Sequence, residues 1–326
     1  DYVKNSACPK WLKFLNYTIK DRDTIFWVQK ALGISLSGRV EKILPLMYGK
    51  PDTGKSTFSE TLLRIFGDYG QKTNLDAFSV SDFGNKGGDT ANSRVRNLKG
   101  ARFVVANETK EGQKLDVALM KDLSGGDTLN ARTQYKTAET FKPTHTFWVY
   151  GNHKPDLGGV DEAIYSRVCI IDFIGVFTPE MKRPIDEVMS GFLEEAPGIL
   201  NWVVEGYQLW LTQGIAKTKA IEAATNQYRD EEDIFKQFIE EEMEIEKDAL
   251  ILKDDLIRCF GEYCYRNGER KATLSKAKIT RRLKDMGIED FGKGRKYFKG
   301  IRFVLVENLT IADNKTEVNI EALFVQ

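Results

Sequence analysis

The chain has 326 residues, 41% hydrophobic and 29% charged, enough apolar material for two or three packed units. Lys plus Arg and Asp plus Glu stand at 48 each, which argues against a broadly basic surface that coats a polyanion. No stretch approaches the ~18 apolar residues of a membrane span, and no charged-then-apolar signal opens the chain, so no membrane partner is expected.

Four cysteines (Cys8, Cys169, Cys259, Cys264) form no C-x-x-C pair and have no histidine nearby. Reduced, mostly buried thiols of a cytosolic protein are the expected state. The first residue is Asp1 rather than Met, so the chain is expected to be a piece of something longer. Zero net charge hides a segregation: residues 230–247 are dominated by carboxylates, whereas 266–302 are rich in Lys and Arg.

In chain order, residues 1–39 are predicted helical, with Trp11, Leu12, Leu15 and Ile19 on one face and Ile25, Phe26, Val28 and Leu32 continuing the period. From about 40 to 177, strands alternate with helices. Strands are predicted at 43–48, 102–106, 145–150 and 168–173, each short, apolar and flanked by turn residues, as in a buried parallel sheet. Leu115, Ala118, Leu119 and Leu123 keep a helical period between them, and 184–213 reads as helices with Trp202 and Val203 in the core. The last block, 229–326, alternates helical stretches with a glycine-punctuated basic segment and a strand at 301–306.

The first of these strands runs into Gly49-Lys50-Pro51-Asp52-Thr53-Gly54-Lys55-Ser56-Thr57, and a helical pattern follows to Phe66. This fits the phosphate-loop pattern G-x-x-x-x-G-K-[ST], which about one chain in a hundred of this length meets by chance from average residue usage. Strand before and helix after make the match specific. The glycines let backbone N–H groups curl around phosphate oxygens, Lys55 reaches the β- and γ-phosphates, and Ser56 ligates Mg²⁺. The expected ligands are therefore ATP and Mg²⁺, with Gly49, Pro51, Asp52, Thr53, Gly54, Lys55, Ser56 and Thr57 around them. A phosphate loop also needs an acid at the end of a second buried strand. Glu108, after Phe103–Asn107, is the candidate for holding Mg²⁺ through water and for activating the attacking water; Glu111 is the alternative. Asn152, straight after the third strand, could be a turn former or could orient that water. His145 opens a buried strand and reads as structural; His153 adjoins Asn152.

The ordered set 49–57, Arg96–Glu108, Ser124-Gly125-Gly126-Asp127, Phe141-Lys142-Pro143-Thr144, Gly151–Pro155 and Asp161–Arg167 resembles the superfamily 3 helicases, specifically the primase-helicases of phages, plasmids and poxviruses. The resemblance covers roughly 8–173. It implies an α/β fold: an AAA+ P-loop NTPase core (40–228) with an N-terminal helical segment (1–39). It also implies a hexameric homo-oligomeric ring that translocates 3′→5′ on one DNA strand. Single-stranded and forked DNA, and an upstream or separate primase, are the implied partners, and the cytoplasm of a bacterial host the implied location. On matching positions, Lys55 and Ser56 are the Walker A pair, Glu108 closes Walker B and Asn152 is the sensor of the γ-phosphate. Arg167 resembles the arginine finger that reaches the neighbouring subunit's nucleotide. Asn107 departs from the acidic pair often found at the end of Walker B.

Residues 128–141 read as two strands and a turn, similar to the hairpin such proteins project into the ring channel. Tyr135 and Lys136 fall at its tip, where an aromatic can stack on a base and a lysine can grip phosphate. Arg132 could serve either channel or nucleotide. In the last block, a helix carrying Arg281 and Arg282 precedes a basic segment containing Lys296, the layout of a winged-helix-like DNA-binding domain (229–326). Two rival readings stand beside the helicase: a nucleotide-gated DNA-binding replication initiator that unwinds little, and a P-loop small-molecule kinase.

Overall fold

The computed structural model describes residues 3–79, 95–107, 113–131, 139–157, 159, 161–268 and 274–304. The chain divides into two compact units, Asp1–Glu232 and Asp233–Gln326.

The first unit is built on a five-stranded, all-parallel sheet. Its strands are β1 (Leu44–Tyr48), β2 (Gly70–Asn74), β3 (Phe103–Asn107), β6 (Thr146–Gly151) and β7 (Val168–Asp172), in the order β2-β3-β6-β1-β7. Four of the five lie within one residue of the predicted spans. Their apolar runs are long enough to be buried on both faces, which is what a central parallel strand requires. β2 was not foreseen, because Gly-Gln-Lys-Thr-Asn contains no apolar residue; it survives at the sheet edge, where only one side must pair.

Alternation along the strands divides two cores. Phe103 and Val105 of β3, with Trp148 and Tyr150 of β6, face one layer; Val104, Ala106, Phe147 and Val149 face the other. The first layer contains α1 (Pro9–Thr18), α2 (Arg22–Ser37), α3 (Lys55–Phe66), α6 (Ile185–Glu194) and α7 (Ala196–Gln213). The second takes α4 (Val117–Leu123), α5 (Glu162–Tyr165) and α8 (Lys219–Glu231), through Met120, Leu123, Ile164, Tyr165 and Tyr228. A sheet covered by helices on both faces, with the glycine-rich loop at the end of its β1 strand, is a P-loop-like α/β core.

The N-terminal helices are part of this body. Trp11, Phe14, Leu15 and Thr18 of α1 recur at helical spacing and are buried. The start of α1 has no cap of its own; Glu195, at the junction of α6 and α7, accepts from Lys10 N–H and Trp11 N–H, both at 3.0 Å. In α2, Asp21 caps the start and Gly38, at φ 74°, ends it. A Cβ on Gly33 of α2 would lie 2.2 Å from Tyr207 N of α7, so the two helices touch backbone to backbone.

A short antiparallel ladder, β4 (Leu129–Ala131) with β5 (Glu139–Phe141), forms the base of the foreseen hairpin; Arg132, Tyr135 and Lys136 lie outside the described residues.

The second unit runs α9 (Ile234–Glu242), β8 (Met243–Leu252), α10 (Lys253–Arg266), α11 (Lys276–Asp285), β9 (Glu289–Phe291) and β10 (Tyr297–Phe303). Its antiparallel sheet has the order β8-β10-β9, and Phe235, Phe238, Phe260, Leu283, Phe298 and Ile301 fill its core. Among the described residues all four cysteines are unpaired, and no helix is long and apolar enough to cross a membrane.

Candidate functional site: a phosphate-loop cleft

The loop between β1 and α3 takes its shape from close contacts. A Cβ on Gly49 would stand 2.2 Å from the Phe173 carbonyl oxygen, just past the end of β7. Asp52 sits at φ 62°, a left-handed conformation uncommon for a non-glycine residue. It is held there from outside: its carbonyl accepts from Phe177 N–H at 2.9 Å, and its carboxylate pairs with Lys182 at 2.8 Å. Gly54, at φ 90°, leads into α3, and a Cβ there would strike the Phe14 ring of α1 at 2.8 Å. No side chain caps the start of α3, which leaves its first N–H groups for an anion.

Lys55 is buried and folds back over the loop. Its ammonium donates to the carbonyls of Gly49 at 2.7 Å and Lys50 at 2.8 Å, and to Thr53 Oγ1 at 3.1 Å. Burial lowers its pKa from 10.5 to about 8, against a smaller opposing pull from Asp52. A cation held at such desolvation cost beside uncapped helix N–H groups favours a polyanionic ligand.

Strand order assembles the rest. β6 lies between β1 and β3, so its end is flanked by the loop on one side and by Asn107 on the other. Gly151 pairs with Tyr48 and Tyr150 with Asn107. The result is a cleft of about 400 Å³ lined by Pro51, Asp52, Thr53, Gly54, Lys55, Ser56 and Thr57, and by Asn107, Tyr150, Gly151 and Asn152. Sequence reasoning put Asn152 and the loop together, and the cleft joins them. It missed Tyr150, which reads as one more aromatic of a buried strand, and Lys182, which gives no signal because it is remote in sequence.

The hydroxyl of Ser56 and the amide of Asn107 are hard oxygen donors of the kind Mg²⁺ takes alongside phosphate and water. Glu108, the residue after Asn107, and Glu111 lie outside the described residues. Among the described residues no cluster of His, Cys, Asp or Glu could hold a metal by itself. His145 is fully buried; burial depresses its pKa to about 4, so the ring is neutral.

Arg167 does not line this cleft. It follows α5, and its guanidinium donates to the Lys121 carbonyl and, at 3.2 Å, to Ser124 Oγ, at the C-terminal end of α4. A cation there complements the helix dipole. Lys121 in turn pairs with Asp161, the cap of α5, at 2.6 Å.

In the second unit, charges segregated along the sequence neutralise each other across the fold. Arg302 pairs with Glu244 at 2.9 Å and Glu246 at 2.7 Å, Lys299 with Asp248 at 3.4 Å and Arg266 with Glu242 at 2.9 Å. Arg282 makes a two-pronged contact with Asp233, one arm at 2.7 Å, and lies over the Phe235 ring. Arg281 and Lys296 are exposed, and with Lys278, Lys293 and Arg295 they form no ion pair among the described residues.

The geometry defines a P-loop α/β protein. Residues 47–167, under half of the chain, match a family of unknown function, DUF5906. The chain is 24% identical over 279 residues to “Putative helicase 022R” of Frog virus 3 (isolate Goorha), covering 79% of this chain and 28% of that protein. It is also 24% identical over 242 residues to “Putative helicase L207/L206” of Acanthamoeba polyphaga mimivirus, covering 69% of this chain and 25% of that protein. The chain thus spans about a quarter of the length of these curated relatives. Among solved structures, the A form of the apo NrS-1 C-terminal region aligns over 93% of this chain and 77% of that one, with TM-score 0.53 and 15% identity, a likeness of fold.

Proposed function

We propose that the chain is the ATP-dependent motor of a DNA helicase of superfamily 3 (AAA+) type, from the replication machinery of a virus or other mobile element. The observation that carries this is the convergence of loop, Asn107 and Asn152 on one cleft. A small-molecule kinase needs the loop but has no use for a strand-end sensor between loop and second strand. The names borne by the DNA-virus relatives support the same reading.

In this reading the loop N–H groups and Lys55 hold the β- and γ-phosphates of ATP. Ser56, Asn107 and Glu108 hold Mg²⁺, which when bound neutralises charge on those phosphates. Glu108 takes the proton of the attacking water, and Asn152 orients that water against the γ-phosphate. Arg167 completes the site of a neighbouring copy in a hexameric ring. Arg167 lies outside its own cleft, and to serve another subunit its guanidinium would have to leave the Lys121 carbonyl and Ser124 Oγ. Tyr135 and Lys136 grip single-stranded DNA in the channel, which moves with 3′→5′ polarity, and Arg132 serves either the channel or the nucleotide.

The second unit acts as a winged-helix-like DNA-binding domain. Support comes from its element order, in which, among the described residues, three helices interleave with a three-stranded antiparallel sheet, and from exposed Arg281 on α11 with Lys296 before β10. The direct test is strand displacement on a forked duplex with ATP. Separation that requires a 3′ single-stranded arm is expected; ATP hydrolysis and DNA binding without separation would instead identify an initiator.

A further inference from the structure

Glu60 of α3, Lys72 of edge strand β2 and Tyr150 at the end of β6 converge on the α3 face of the sheet. Register aligns them: Lys72 pairs with Val105 and Val105 with Trp148, so Lys72 and Trp148 share one row, with Asn107 and Tyr150 in the next. The Lys72 ammonium is hydrogen-bonded to the Glu60 carboxylate. Tyr150 keeps 9% of its surface exposed and is part of the cleft wall beside Asn107. Neither a strand end nor a buried core requires a tyrosine here, since phenylalanine would fill the same apolar layer.

The Lys72 pKa is raised, by Glu60 first and also by the Tyr150 phenol, so the ammonium stays charged. Lys72 and Tyr150 interact on this face of the sheet, and the phenol carries an O–H that can donate. The cleft is where a ligand could accept it.

We propose that Tyr150 donates a hydrogen bond to the terminal phosphate of the bound nucleotide, and that the Glu60–Lys72 pair positions it to do so. This rests on the nucleotide-hydrolysis reading above. Charge spreads over the equatorial oxygens of the transferring phosphoryl group, so a fixed donor there lowers the barrier more than it strengthens ground-state binding.

The test is Tyr150→Phe in the full chain, which keeps the ring and removes the hydroxyl. Affinity for a non-hydrolysable ATP analogue should stay within about threefold and kcat should fall about tenfold or more, with the unfolding midpoint unchanged. Lys72→Met should lower kcat in the same direction yet add little to Tyr150→Phe, because it acts through that hydroxyl; Lys72→Arg should restore part of the rate. Wild-type kcat in Tyr150→Phe, a lowered midpoint with kcat intact, or fully additive losses in the double variant would overturn the inference. A wild-type chain without ATP turnover would overturn the hydrolysis reading as well, so the two failures are distinguishable.

Discussion

Gly49 and Phe173 meet backbone to backbone: the Phe173 N–H donates to the Tyr48 carbonyl at 2.7 Å, and the Phe173 carbonyl lies where a Cβ on Gly49 would go. The phosphate loop is therefore fastened to the end of β7 as well as to β1. Gly49→Ala must separate two backbones, at a cost of about 2 kcal/mol or more. The expected result is an unfolding midpoint lowered by several degrees and loss of nucleotide binding. A variant with wild-type midpoint and affinity would contradict this close approach.

The depressed pKa of Lys55 makes a prediction about protons. Phosphate oxygens should raise that pKa above the value of about 8 in the free loop. At pH 7 the side chain is already charged and binding takes up no proton through it. Above about pH 8 it is partly neutral, so binding takes up a proton and affinity falls as pH rises. Calorimetric titration of an ATP analogue at pH 8.5, in two buffers of different ionisation enthalpy, should report uptake of a fraction of one proton. No buffer dependence would mean that Lys55 does not meet the phosphates.

Two adjacent arginines of α11 should behave differently. Arg282 is committed to Asp233, whose side chain is mostly buried, so Arg282→Ala should destabilise the chain by about 1–3 kcal/mol. Arg281 is exposed with no ion pair among the described residues. Arg281→Ala should leave the midpoint unchanged, weaken DNA binding and flatten its salt dependence by about one charge. Denaturation and salt-titrated DNA binding separate the two; equal effects on both would refute the distinction.

Arg167→Ala tests the ring. It removes a contact at the end of α4, so a modest loss of stability is expected, on the order of 1 kcal/mol. If the side chain also completes a neighbour's site, the variant binds nucleotide and does not hydrolyse it. Mixing it with Lys55→Ala should then restore turnover at hybrid interfaces. Failure of such mixtures to recover activity would leave Arg167 with its intrachain contact alone.

Local patterns made much of this legible. The loop and the strand ends at Asn107 and Asn152 could be read because buried parallel strands are short apolar runs, and their last polar residue marks the edge where ligands sit. What was hidden depends on partners distant in the chain. The sheet position of β2 comes from pairing with β3, not from its own residues. The cap that Glu195 lends to α1 and the clamp of Lys182 on Asp52 each join segments more than a hundred residues apart. The basic stretch of the second unit suggested an open cationic face. Once β8 lies beside β10, its carboxylates take up Arg302 and Lys299, and fewer positive charges are left for a polyanion.

The most direct measurement is the rate of ATP hydrolysis by the purified chain, with and without single-stranded DNA, beside Lys55→Ala. A motor of the proposed kind turns over ATP, is stimulated severalfold by DNA and loses that turnover in the variant. Hydrolysis that ignores DNA, or that survives Lys55→Ala at the wild-type rate, would contradict it.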